Sequence, residues 1–383
     1  MRLPLALILA FALPLTALAD SPKGDDLAKA RALVRSLGDK SYRNREKAAQ
    51  ELLRMGRVAY TAVAEGSDDA DPEVRSRCRK ILPVILEQEI KARLDAFLAD
   101  VEGKNEHNLP GWKRFRDMFG NTKTSRELFA DLIRADGRLM EEVEVSAKEF
   151  AGERLQARAF AMRQNMLLAA NAGRGTTLPL RDIIQVIFLA TKPGLEISPQ
   201  AAQVITSFTY DANFRQAISG GGQAEIVRKL VVTWIEQRLD DQNSAYAIMN
   251  LATNYRLKEL IAPALKIATN KKAMVHARGT ALAAIGRLGD KEHAAILEPL
   301  VADTTQIASF AWQNIRGITQ LGDVALAQII HLHGEKPGDY GYLPLKSNPS
   351  FIHSYYYQGF ANDDARAAAR KQWKEFLEKN KKR

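Results

Sequence analysis

Cysteine is nearly absent from this chain: Cys78 stands alone among 383 residues. A lone thiol excludes an internal disulfide framework and any zinc module built on cysteines. Arg77 and Arg79 flank it and could activate it; a small half-buried helix residue is the plainer reading. Aromatic residues are scarce, at 7%. Strands concentrate aromatic and β-branched side chains, so this scarcity, with abundant Ala and Leu, points to packed helices. Six histidines are scattered along the chain. The one close pair, His331-x-His333, sends its rings to different faces of a helix and so does not share a metal, unless the helix frays and His353 joins them. A His-Glu-x-x-His helix, a Gly-x-Ser-x-Gly turn, a phosphate loop and a Rossmann glycine set are all missing. The glycine loop 171–177 lacks the Gly-Lys-Ser/Thr ending that phosphate binding needs and reads as a connection. Carboxylate pairs such as Glu141-Glu142 and Asp363-Asp364 sit at helix starts, where they satisfy the dipole. No constellation demands an enzyme, and no catalytic residue, metal or cofactor is expected.

What is present is ordinary core-forming material: 46% hydrophobic and 26% charged residues, enough for two or three domains or one elongated array. The first 19 residues read as a secretory signal peptide. Arg2 supplies the charge, Leu3 to Leu18 the apolar run, and Ala17-Leu18-Ala19 the small residues that place cleavage after Ala19. An uncleaved anchor is the competing reading. No second apolar run is long enough to span a bilayer, so the mature chain is expected to be exported, to the periplasm or outside the cell. The formal charge of +10 then points to an anionic envelope polymer, lipid head groups or acidic proteins before nucleic acid. The plain alternative is a solvated surface with a basic tail, Lys379, Lys381, Lys382 and Arg383.

Punctuated helices recur along the chain. Asp71 can cap a helix with Pro72 at its first position, where the missing N–H is no loss. The run Leu180 to Ala190 is apolar on most sides and reads as a buried helix. Leu288-Gly289-Asp290 and Leu321-Gly322-Asp323 each read as a tight turn between two helices, at a spacing typical of stacked helical repeats. On that reading residues 306–320 are helical. Gly220-Gly221-Gly222 reads as a flexible joint ahead of this final array.

Asp71, Pro72, Val74 and Arg75 match the Asp-Pro-x-Val-Arg opening of the second helix of HEAT-type repeats. The N-terminal stretch resembles exported bacterial HEAT-repeat proteins of mostly unassigned function. The resemblance implies an all-α fold, a HEAT-like α-α superhelix or solenoid, and a structural role for Arg75. It is nearly silent on activity. The expected organisation is a signal peptide, 1–19; N-terminal HEAT-like helices, 20–108; an irregular helical middle, 109–219; HEAT-like repeats, 220–333; and an aromatic loop with a capping helix, 334–383.

Two places are candidate contact sites. Trp112, with Lys113, Arg114 and Arg116, forms a basic-aromatic cluster of the kind that stacks bases or sugars; Trp112, Phe115, Phe119 and Phe129 also recur at helical spacing, as a core stripe does. Residues 334–360 lack helical period and gather Tyr340, Tyr342, Tyr355, Tyr356, Tyr357 and His353. A long stretch without regular structure is uncommon unless it does something. It either folds over the last repeat as a cap or meets a partner, for which tyrosine offers rigid area and a hydroxyl. The functional expectation is a non-catalytic exported scaffold that binds a protein through the concave surface of the solenoid. The alternatives are a basic module for an anionic envelope polymer, and an enzyme built around the aromatic loop with His331, His333 and His353.

Overall fold

The computed structural model describes residues 24–145, 148–238 and 245–381. The expected signal peptide and its cleavage position fall outside the described residues. The chain is predominantly helical, in two compact units that divide between Glu141 and Glu142, not at the triple glycine. No helix among the described residues is long and apolar enough to cross a membrane.

The first unit comprises α1 (Gly24–Ser36), α2 (Tyr42–Met55), α3 (Tyr60–Gly66), α4 (Pro72–Ala99), α5 (Trp112–Phe119) and most of α6 (Lys123–Val145). Its first core is small and aliphatic: Val34, Leu37, Leu52, Val63, Val74 and Ile85, with Cys78 wholly buried among them. Burial pushes the Cys78 thiol up to about 11, which answers the question of its reactivity: at neutral pH it stays a protonated apolar side chain.

The turns that open α2 and α4 are the same device used twice. The Ser41 N–H donates to Asp39 Oδ1 at 2.7 Å, and the Asp71 N–H to Asp69 Oδ1 at 2.8 Å. Arg45 Nη1 then returns to the carbonyls of Asp39 and Lys40, as Arg75 Nη1 returns to those of Asp69 and Ala70. Each arginine, one turn inside its helix, satisfies backbone oxygens of the loop before it. Asp71 completes the start by accepting the Glu73 N–H, beside Pro72. In α6 the regular backbone breaks at Asp136 (φ −162°, ψ 85°), whose carboxylate accepts the Leu139 N–H and starts a second helical stretch.

The second unit holds α7 (Lys148–Asn171), α8 (Leu180–Ala190), α9 (Pro199–Phe208), α10 (Ala212–Ser219), α11 (Ala224–Glu236), α12 (Ala245–Tyr255), α13 (Ile261–Thr269), α14 (Val275–Leu288) and the short α15 (Ala294–Leu297). After these come strands β1 (Gln306–Trp312) and β2 (Ile315–Gln320), then α16 (Leu321–Leu332), α17 (Leu343–Ser347) and α18 (Asp363–Lys381). As expected, α8 is a helix, and it is buried from Ile183 to Ala190. Gly220 to Gly222 form a turn between α10 and α11, which pack against each other and against α8.

The centre of this unit is α14. It packs against α12, α13 and α16 and is buried on nearly every side. Small residues make that possible. A Cβ at Gly279 would stand 3.0 Å from the Tyr355 ring, and one at Gly286 would overlap the buried amide of Gln328.

Residues 306–320 overturn the second helical repeat. They form an antiparallel hairpin closed by Gln313 and Asn314, with Gln313 in the left-handed region (φ 52°). Ile307, Phe310, Trp312, Ile315, Ile318 and Thr319 are β-branched or aromatic, and this local density outweighs the Ala-rich surroundings. Gly317 lets the Phe310 ring and the Phe360 carbonyl lie where a Cβ would be, 2.5 and 2.6 Å away. The two Leu-Gly-Asp triplets consequently do unlike jobs. Leu288 ends α14, with the Gly289 N–H on Ile285 O at 2.7 Å. Leu321 begins α16, and Asp323 accepts the Gln320 N–H at 3.0 Å.

Candidate functional site

The sequence candidates separate into buried and exposed groups. In the first unit Trp112 is 4% exposed. It packs edge-on to Phe97 at 4.7 Å and against Phe129 at 5.1 Å. The guanidinium that faces this cluster is that of Arg126, 3.8 Å over the Phe97 ring, not one of the sequence neighbours. Arg116 instead meets Glu106 at 3.1 Å, Arg114 lies against Met118, and Lys113 is exposed. The expected basic-aromatic stacking cluster is therefore not assembled: its tryptophan is core.

The aromatic stretch of the second unit also divides. Tyr342 is wholly buried and its hydroxyl donates to Asp323 O at 2.7 Å. Tyr340 is buried against Trp373 of α18, ring centroids 5.6 Å apart. These two tyrosines belong to a cap: Trp373 stacks on Phe376, and Arg366 of α18 reaches back to the buried Asp323, Nε to Oδ1 2.7 Å. Burial raises the Asp323 carboxyl, against the pull of Arg366 and the Gln320 N–H.

Tyr355, Tyr356 and Tyr357 are different. They form a short helical turn over the hairpin, fixed where Thr319 Oγ1 donates to Tyr356 O at 3.0 Å. Tyr357 stacks on Phe351 (4.3 Å, 20°), and Trp312 meets both rings edge-on. Tyr355 lies over Gly279 with its hydroxyl 3.1 Å from His276 Nδ1. Tyr356 is 44% exposed; Ile318, 43% exposed, alternates with Thr319 and leaves β2 on the opposite face. The result is a partly exposed aromatic face with a rigid floor.

That floor is a buried amide pair. Gln328 Nε2 of α16 donates to Gln358 Oε1 at 2.7 Å and to Ile352 O at 3.0 Å, and Gln358 Nε2 donates to Ile352 O at 2.8 Å. Both glutamines are fully buried.

The histidine pair His331-x-His333 diverges. His333 packs on Trp373, with Nδ1 2.9 Å from Ile329 O. His331 turns to His353, ring centroids 6.2 Å apart, without any fraying of α16. Burial lowers the pKa of His331; for His353 desolvation does the same, helped by Arg287 and by His331 itself. Among the described residues, no group of three or more His, Cys, Asp or Glu side chains is placed to hold a metal ion.

His353 also closes a cleft of about 400 Å³ lined by Arg256, Lys258, Arg287, Leu288 and Gly289. Arg256 follows the last residue of α12 with a left-handed backbone, φ 51°. The Leu257 N–H reaches back to Ala252 O at 2.9 Å and the Arg256 N–H to Thr253 O at 3.4 Å, the pattern of a helix terminated at a residue that is usually glycine. Arg287 comes from the last turn of α14. Sequence reasoning passed over Arg256, Lys258 and Arg287. The available signal was an arginine, not a glycine, after the apolar run that ends at Tyr255.

No family model, no curated protein and no solved structure matches this chain.

Proposed function

We propose that this chain is a non-catalytic, exported scaffold of HEAT-like helical repeats that binds a protein partner. The contact surface is the aromatic face of the second unit: Tyr356 at the front, with the rings of Tyr357, Phe351 and Trp312 beside it. The observation that carries this reading is the exposure of Tyr356 beside a ring cluster already held in place. Tyrosine and tryptophan dominate protein contacts because they bring large area at small entropic loss, and a pre-ordered face loses less on binding. The matched turns before α2 and α4 support the repeat reading, since each places the same arginine on the same loop carbonyls. The apolar run of residues 3–18 supports export.

The test is capture from envelope extract on the immobilised chain, with washes at low and high salt. A defined protein that survives high salt and is lost with Tyr356→Ala supports the reading. Capture that this variant leaves unchanged removes the aromatic face from the contact. Material released by salt alone points to an anionic envelope polymer instead.

A further inference from the structure

We propose that the cleft between the ends of α12 and α14 binds a phosphate group. Three permanent cations, Arg256, Lys258 and Arg287, line one cleft with the imidazole of His353. Several arginines elsewhere meet acids, as Arg31 does Glu65, Arg54 Glu51, Arg77 Glu46 and Arg278 Asp303. Among the described residues, Arg256, Lys258 and Arg287 make no such pair. Asp290 feels Lys258 but is already engaged by His293 Nδ1 at 2.8 Å and the Glu292 N–H at 3.1 Å. Three like charges brought together without a counter-charge repel one another, and an anion between them relieves that repulsion.

The backbone at Arg256 argues in the same direction. Glycine suits the left-handed position after a helix, and a residue with a Cβ is disfavoured there. Here the position carries a guanidinium, on the cleft wall. Strain held at a cleft is a pointer to use.

The geometry also selects the anion. Two guanidinium forks each match a pair of oxygens, and a lysine adds a point charge. A planar carboxylate has two oxygens and occupies one fork. A tetrahedral phosphoryl dianion offers three terminal oxygens, enough for both arginines and the lysine, with charge closer to that of the site. The cleft has room for the group to which such a phosphoryl is attached. This site is separate from the aromatic face and does not depend on the protein-binding reading.

The experiment is calorimetric titration of the full chain with inorganic phosphate at fixed ionic strength, alongside flotation with phosphatidic acid vesicles and phosphatidylcholine vesicles. The deciding variant is Arg256→Gly, which removes a cation while easing the backbone. It should fold with an unchanged or raised melting temperature and bind phosphate at least tenfold more weakly. Arg287→Gln should weaken binding to a similar degree, and Arg31→Gln, far from the cleft in sequence and paired with Glu65, should not. Binding of free phosphate without flotation assigns a soluble phosphate ligand. Binding of both free phosphate and phosphatidic acid vesicles, lost together in Arg256→Gly, assigns a lipid headgroup. The proposal is overturned if the chain binds neither, or if Arg256→Gly and Arg287→Gln bind as tightly as the parent.

Discussion

Replacing Gly286 by alanine should destabilise the second unit, although in a helix interior alanine is normally the better residue. The ordinary effect of Gly→Ala in a helix is a gain of about 1 kcal/mol. At this position the new methyl would stand 2.6 Å from Gln328 Cδ and overlap its oxygen. Gln328 is fully buried and cannot swing into water. To make room it must give up its bonds to Gln358 Oε1 and Ile352 O. Ile352 O keeps its bond from Gln358, so the main loss is Gln358 Oε1 and the Gln328 amide left unpaired, about 1–3 kcal/mol for each such group. Overpacking adds about 1–3 kcal/mol. Against the helix gain, the net is a destabilisation of about 2–8 kcal/mol, or very roughly 4–32 °C in melting temperature at about 2–4 °C per kcal/mol for a unit of this size. The sharper assay is a double-mutant cycle. Gln328→Ala alone should cost about 1–3 kcal/mol for the unpaired partner and the space left behind. In the Gln328→Ala background the Gly286→Ala change meets no obstacle and should return its helix gain, so the double variant should be no less stable than Gln328→Ala. If Gly286→Ala alone stabilises the chain, or if the two effects simply add, the amide pair does not hold the aromatic stretch on α14 and α16.

The remaining predictions concern the cap and pH. Asp323→Ala leaves Arg366 buried with Asp363 and the Ile318 carbonyl but without its buried counter-charge, and should lower stability by about 3–5 kcal/mol in denaturant titration, whereas Tyr342→Phe, which removes one hydrogen bond, should lower it by about 1 kcal/mol. Asp100 is held well below the usual carboxylate range by the Asn105 N–H, then by His107 and the Lys104 N–H. A carboxyl depressed by folding contributes stability above its unfolded value, about 3.9, and loses it as pH falls towards the folded value. Acid titration of stability should therefore show a loss below about pH 4 that Asp100→Asn blunts. His331 and His353 are lowered on folding, so the unfolded chain takes up their protons first and stability should fall as pH drops through about 6.5; His331→Gln with His353→Gln should flatten that step.

The helices of this protein were legible because their signals are local. Asp71 and Pro72 mark the start of α4 by the chemistry of unsatisfied N–H groups, and the continuous apolar run of α8 leaves no polar face to expose. The hairpin is hidden because repetition of Leu-Gly-Asp is not repetition of structure. A tripeptide carries no information about which helix end it serves. Ile285 O waits for the Gly289 N–H in one case, and the Gln320 N–H waits for Asp323 in the other. The β-branched and aromatic density from Ile307 to Thr319 was the better guide, since it measures what the side chains pack against. The aromatic cluster at Trp112 failed for a related reason. Lys113, Arg114 and Arg116 adjoin Trp112 in sequence but leave the helix in other directions, and the cation that meets the ring cluster, Arg126, comes from the next helix.

The cleft was illegible for a deeper reason, and it bears on how such a site arises. Arg256, Arg287 and His353 come from separate helix ends brought together by α14, so no window of sequence contains them. What a window can show is a local rule broken. An arginine where the chain turns left-handed costs about 1–2 kcal/mol against glycine, and among the described residues no ion pair returns that cost, while its backbone bonds would form equally well with glycine. A residue that the fold alone would not choose, on the wall of a cleft already carrying two other unpaired cations, is accounted for most simply by something outside the fold. That is the reason Arg256→Gly is the decisive substitution: stability and anion affinity should move in opposite directions, which no purely structural role for Arg256 produces.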